Sequence, residues 1–75
     1  MAQVTTDTLG ERLVILRRRA GLSQQAAAEL AGSSMAALSR YEHDQTEPTV
    51  RVLAALARLY GVTPNELLAF EATRR

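Results

Sequence analysis

Residues 21–42, Gly21-Leu22-Ser23-Gln24-Gln25-Ala26-Ala27-Ala28-Glu29-Leu30-Ala31-Gly32-Ser33-Ser34-Met35-Ala36-Ala37-Leu38-Ser39-Arg40-Tyr41-Glu42, hold two short helical patterns separated by one glycine and two serines. Each half opens on a serine suited to cap a helix, Ser23 and then Ser34, because a side-chain oxygen can satisfy backbone N–H groups that the first turn leaves unpaired. Gly32 closes the first half. Glycine enters the left-handed conformation without a Cβ penalty, so a second helix can start almost at once at a steep angle to the first. The stretch predicts two helices, about Gln24 to Ala31 and Met35 to Glu42, joined by a tight turn.

Working outward, Thr8-Leu9-Gly10-Glu11 reads as a capping box that opens a helix running to Gly21. Leu9, Leu13, Leu16 and Ala20 form its apolar stripe, and Val14 and Ile15 lie beside it, to be half-covered by a neighbouring element or by a second subunit. In the central pair, Ala27, Ala28, Leu30 and Ala31 give the first helix a narrow small-residue face. Leu38 and Tyr41 point the second helix inward, with Ala37 filling the gap, so Met35, Ala36, Ser39 and Arg40 fall outward. Downstream, His43 to Pro48 is a polar loop, and Thr49 caps a helix from Val50 to Tyr60 whose Leu53, Leu56, Ala57 and Tyr60 recur at helical spacing. Val52 and Leu59 fall partly off that stripe. Gly61-Val62 breaks it, and Thr63-Pro64-Asn65-Glu66 combines an N-cap, a first-turn proline and a capping-box glutamate to start a fifth helix with Leu67, Leu68 and Phe70. No segment has a strand period. The expectation is an all-α, compact five-helix bundle: a mobile arm over residues 1–7, a folded domain over 8–70 and a polar tail over 71–75.

Composition narrows the function. A chain of 75 residues makes one small domain, completed by tight packing or by a partner subunit. With no cysteine and one histidine there is no disulfide and no metal site, and no cofactor is expected. No apolar run approaches the roughly 20 residues that span a bilayer, and the N-terminus lacks a signal-peptide layout, so the expected location is cytoplasmic, without membrane contact. No nucleophile stands with a base and no acid pair has a defined spacing, so an enzyme is not expected. Net charge is only +1, but all nine basic residues are arginine, whose planar fork suits phosphate and guanine. Arginine throughout and thirteen alanines also fit a GC-rich coding sequence. Arg17, Arg18 and Arg19 cluster, with Arg17 the one expected to pair internally.

Gly21-Leu22-Ser23-Gln24, Ala28-Glu29, Gly32, Ser34, Leu38-Ser39-Arg40-Tyr41-Glu42, Glu47-Pro48, Leu53, Leu56-Ala57, Gly61-Val62 and Glu66-Leu67-Leu68 together resemble the helix-turn-helix domain of phage Cro and CI-type repressors, the XRE family, over roughly residues 8 to 70. The resemblance implies a lambda-repressor-like bundle that dimerises and sets its third helix into successive major grooves of double-stranded DNA. Carried across, Met35, Ala36, Ser39 and Arg40 meet base edges, while Gln24, Ser34, His43, Thr46 and Arg51 meet the phosphate backbone. Gln24 also braces the third helix, and Arg51 has Glu47 as its alternative partner. Arg17 and Glu42 occupy positions that form a salt bridge in several relatives. Leu59, Leu67, Leu68 and Phe70 are core residues or line a two-fold interface.

The sequence departs from the family's pattern at four places. Met35 and Ala36 stand where polar readers are common, Ser33 stands where a valine-like residue is usual, and Asp44 replaces a loop glycine. The expected function is a homodimeric, sequence-specific transcriptional regulator, a repressor or autoregulator on a pseudo-palindromic operator, with no small-molecule ligand. The alternative, motivated by the near-neutral third helix, apolar Val14 and Ile15 and the apolar fifth helix, is a protein-interaction module of antitoxin-like or antirepressor type. Its partner would be a toxin, with RNA polymerase a possible protein partner of the regulator.

Overall fold

The computed structural model describes residues 8–72, with side chains as far as Leu68. The arm at 1–7, the Phe70 side chain and the last three residues of the tail lie outside the described residues. Five helices follow in order: α1 (Leu9–Arg19), α2 (Gln24–Leu30), α3 (Met35–Glu42), α4 (Val50–Tyr60) and α5 (Pro64–Ala72). No strand occurs among the described residues. The helix α5 takes in Glu71 and Ala72, two residues of the stretch expected as tail.

Each helix starts where a hydroxyl can take a free N–H. Thr8 Oγ1 accepts from Glu11 N at 3.1 Å, Ser23 Oγ from Ala26 N at 3.0 Å, Ser34 Oγ from Ala37 N at 3.0 Å, and Thr49 Oγ1 from Val52 N at 3.2 Å. At α5 the box is reciprocal: Glu66 N donates to Thr63 Oγ1 at 3.0 Å and Thr63 N donates to Glu66 Oε1 at 2.8 Å. Such a cap contributes roughly 1 kcal/mol.

The first four helices also end alike. At each end one residue, at or just after the cap, turns to positive φ, and two N–H groups reach back to the last turn's carbonyls. After α1, α2 and α4 that residue is glycine, Gly21, Gly32 and Gly61, at φ 75, 73 and 76°. After α3 it is Asp44, at φ 60°, with Asp44 N on Tyr41 O at 3.1 Å and Gln45 N on Arg40 O at 2.9 Å.

The helix α1 packs on α3 and α5, α2 on α3 and α4, and α4 on α5. Leu13, Leu38, Leu56 and Leu67 are the largest fully buried side chains, and Leu16, Ala27, Ala28, Ala31 and Ala57 complete the core. Burying one leucine contributes on the order of 1.5–3 kcal/mol, while the alanines let the α2 backbone approach closely. Val14 and Ile15 are half-buried.

Two expectations fail here. Ala20 is exposed, because it is the cap residue of α1 and no longer follows the stripe. Leu30 is 64% exposed. At about 100° per residue it stands roughly 100° round α2 from the centre of the Ala27–Ala28–Ala31 face. Of the two readings left open for Leu67, core or two-fold interface, its complete lack of exposed surface places it in the core. The next residue, Leu68, turns off that face and is 37% exposed, and Leu59 is half-buried.

Candidate nucleic-acid interface

The helix α3 has an inner and an outer row. Leu38 and Glu42 are buried and Ala37 and Tyr41 half-buried. On the other side Met35 is 51% exposed, Ala36 and Arg40 are exposed and Ser39 is half-buried. The Met35, Ala36 and Arg40 side chains make no hydrogen bond or ion pair among the described residues.

The inner row ends in a charged hub. Glu42 closes α3 at the negative end of its dipole, and its side chain is only 2% exposed. Arg17 on α1 answers it: Nε donates to Oε2 at 2.7 Å and Nη2 to Oε1 at 3.3 Å. The third guanidinium nitrogen, Nη1, donates to Leu22 O at 2.9 Å in the α1–α2 turn. Gln24, the first residue of α2, donates Nε2 to Glu42 Oε1 at 2.9 Å. One carboxylate thus ties the end of α3 to α1 and to the start of α2. Gln24 braces α3, and its second amide hydrogen remains for a further acceptor.

Tyr60, at the end of α4, borders the hub. Its hydroxyl is buried without a hydrogen-bond partner among the described residues. Desolvation first, then the Glu42 charge, push its pKa up to about 12, against the lowering effect of Arg17.

The linker from α3 to α4 carries the other expected backbone contacts. His43 Nδ1 lies 2.8 Å from Ser39 O. A carbonyl only accepts, so Nδ1 carries the proton, and Nε2 donates to a phosphate only when the ring is charged. Thr46 and Arg51 are exposed, and Arg51 forms no ion pair with Glu47. Ser34 is exposed and keeps its hydroxyl hydrogen for an outside acceptor while capping α3.

Sequence reasoning missed what Asp44 does. Its Oδ1 accepts from Gly10 N at 2.9 Å, across 34 positions of chain. Gly10 is buried in the first turn of α1, and a Cβ there would stand 2.6 Å from Glu42 O, 2.7 Å from Tyr41 O and 2.8 Å from Asp44 Cγ. The N-terminal end of α1 therefore abuts the C-terminal carbonyls of α3, positive end to negative end. A glycine inside the first turn of an otherwise regular helical pattern was the available signal for this close approach.

Fold and site define the class, a five-helix domain built around a helix-turn-helix. The helix-turn-helix domain family matches residues 8–70. The HTH-type transcriptional regulator PuuR of Escherichia coli K12 is 38% identical over 60 residues, 80% of this chain and 32% of that protein. ImmR of Bacillus subtilis 168, also an HTH-type transcriptional regulator, is 39% identical over 61 residues, 81% of this chain and 48% of its own. The chain thus spans about a third to a half of these curated relatives. The crystal structure of the P22 c2 repressor protein with a synthetic operator matches the fold with a TM-score of 0.79 at 32% identity, over 83% of this chain and 94% of that one. The chain belongs to the helix-turn-helix regulators of the XRE, or Cro and CI, type.

Proposed function

We propose that the chain is a DNA-binding transcriptional regulator that reads operator DNA with α3. The observation that carries this is the division of α3: its inner end is fixed by the Glu42 hub, while Met35, Ala36 and Arg40 stand exposed with unused side chains. Met35 and Ala36 suit thymine methyl groups, and Arg40 suits guanine or phosphate. Ser39 completes the base-facing row. Gln24, Ser34, Thr46 and Arg51 supply backbone contacts, joined by His43 when its ring is protonated. Two copies related by a two-fold, meeting through half-exposed Leu68, half-buried Leu59 and Phe70, would present two α3 helices one turn of DNA apart. The DNA-binding domain spans residues 8–70, with its last helix running on to Ala72, and it works in the cytoplasm. No helix among the described residues is long and apolar enough to cross a membrane.

Selection of bound duplexes from a random library, followed by titration at several salt concentrations, tests this reading. The expected result is an enriched pseudo-palindrome and a log–log salt slope of about −4 to −7, from four to eight phosphate contacts per dimer. A chain that retains no duplex at low salt sinks it. That outcome favours a protein-binding module instead, for which Leu30, 64% exposed, and Val50, 84% exposed, are the supporting observation.

A further inference from the structure

Three helices end on a glycine at positive φ, and at each of these a Cβ would meet nothing within 4 Å. The end of α3 uses an aspartate in the same backbone role. Left-handed backbone is harder for aspartate than for glycine, although easier than for most side chains. Asp44 is exposed, so hydrophobic burial does not compensate. What its side chain gains is one bond, Oδ1 to Gly10 N at 2.9 Å, at the positive end of α1. That bond is made where α1 and α3 touch so closely that only glycine fits at position 10. It fixes the first residues of the linker, with His43 on one side and Gln45 and Thr46 on the other.

We infer that Asp44 is a positioning residue: by latching onto the start of α1 it holds the α3–α4 linker in register with α3, so that linker and outer row meet DNA as one rigid surface. The latch also engages the Asp44 carboxylate, just beyond the end of α3, with an N–H group, which tempers its repulsion of a nearby phosphate. The inference rests on the DNA-binding reading above, and it adds a residue that contributes to specificity without touching a base.

Two variants isolate it. Asp44→Asn keeps an acceptor oxygen and tolerance of positive φ but removes the charge; Asp44→Gly keeps the backbone and removes the acceptor. The first measurement is hydrogen exchange at the Gly10 amide in the free protein. The second is the ratio of affinities for the duplex selected by the unaltered chain and for an unselected duplex of equal length, at one salt concentration. Asp44→Asn should keep Gly10 protection and keep the ratio within about twofold. Asp44→Gly should speed Gly10 exchange by about tenfold and lower the ratio about three- to tenfold, with an unchanged thermal midpoint and equal or tighter binding of the unselected duplex. Unchanged Gly10 exchange in Asp44→Gly overturns the latch, and faster exchange with an unchanged ratio overturns its role in positioning. If the unaltered chain binds no duplex, the DNA reading fails and takes the positioning role with it, while Gly10 exchange still reports the latch.

Discussion

At its inner end α3 shares Glu42 with Arg17 and Gln24 and lays its last carbonyls against Gly10, whereas along its outer row Met35, Ala36 and Arg40 offer side chains that form no hydrogen bond or ion pair among the described residues. The first region is dense in directional bonds and draws on three helices. The second is a bare surface on the same helix. The contrast teaches that placement and readout are separable: the hub sets where α3 sits, and the outer row can change without disturbing it. Met35 and Ala36 replace the family's common polar readers on a framework whose caps and hub are complete.

The strongest way to break the contrast is to open the hub. Glu42→Ala leaves Arg17 and Gln24 facing a vacancy and should cost roughly 3–5 kcal/mol of stability, read from urea unfolding, because an uncompensated charge in a nearly closed site is far more costly than the pair is stabilising. Glu42→Gln, which keeps the shape and one acceptor, should cost clearly less. Gly10→Ala comes next. Backbone carbonyls 2.6 and 2.7 Å from the new methyl cannot rotate away, so α1 must shift, at about 1–3 kcal/mol in the same assay.

The outer row should behave in the opposite way. Arg40→Ala should leave the unfolding midpoint in place and weaken binding to a selected duplex by about 1–3 kcal/mol, measured by fluorescence anisotropy. Equal loss on selected and unselected duplexes would reassign Arg40 from base to phosphate. The smallest effect belongs at the rim of the hub. Tyr60→Phe removes a hydroxyl that has no partner among the described residues, so at neutral pH stability should move by less than about 0.5 kcal/mol. The raised Tyr60 pKa gives this variant a second signature. Between the ordinary tyrosine value of 10.0 and about 12, the folded chain holds a proton that the unfolded chain releases, so stability present below that window declines as pH rises through it. In Tyr60→Phe that part of the decline should vanish.

Most of the framework was legible in the residues because it is written in local chemistry. Thr8, Ser23, Ser34, Thr49 and Thr63 each cap the helix they were expected to start, since a cap needs only a hydroxyl and an N–H three residues on. Leu30 was misplaced because a periodic template treats every apolar residue near the stripe as inward, whereas the short α2 buries a narrow face, and Ala20 because α1 ends before it. Leu67 and Leu68 could not be separated until the packing of α5 on α1 and α4 chose between neighbours. The Asp44 to Gly10 bond was invisible for a different reason. Its partners lie 34 residues apart, and although Asp44 stands where the family has a loop glycine, nothing in the loop's composition points its side chain to Gly10. The Arg17 to Glu42 pairing came from the family resemblance rather than from spacing. Residues 25 positions apart on different helices give no local sign that they meet.

The four like helix ends bear on how fast the chain acquires its shape. Each reversal is completed by hydrogen bonds between residues a few positions apart, Leu22 to Arg17, Ser33 to Ala28, Gln45 to Arg40 and Val62 to Ala57. Closing such small loops carries a low entropic barrier, and contacts that are mostly local favour rapid folding. Stopped-flow or temperature-jump relaxation should therefore find a folding time on the order of microseconds to milliseconds, in the range of small helical bundles. The late step should be the docking of α1 onto the end of α3, because the Gly10 contact and the Arg17 to Glu42 bridge both join distant parts of the chain.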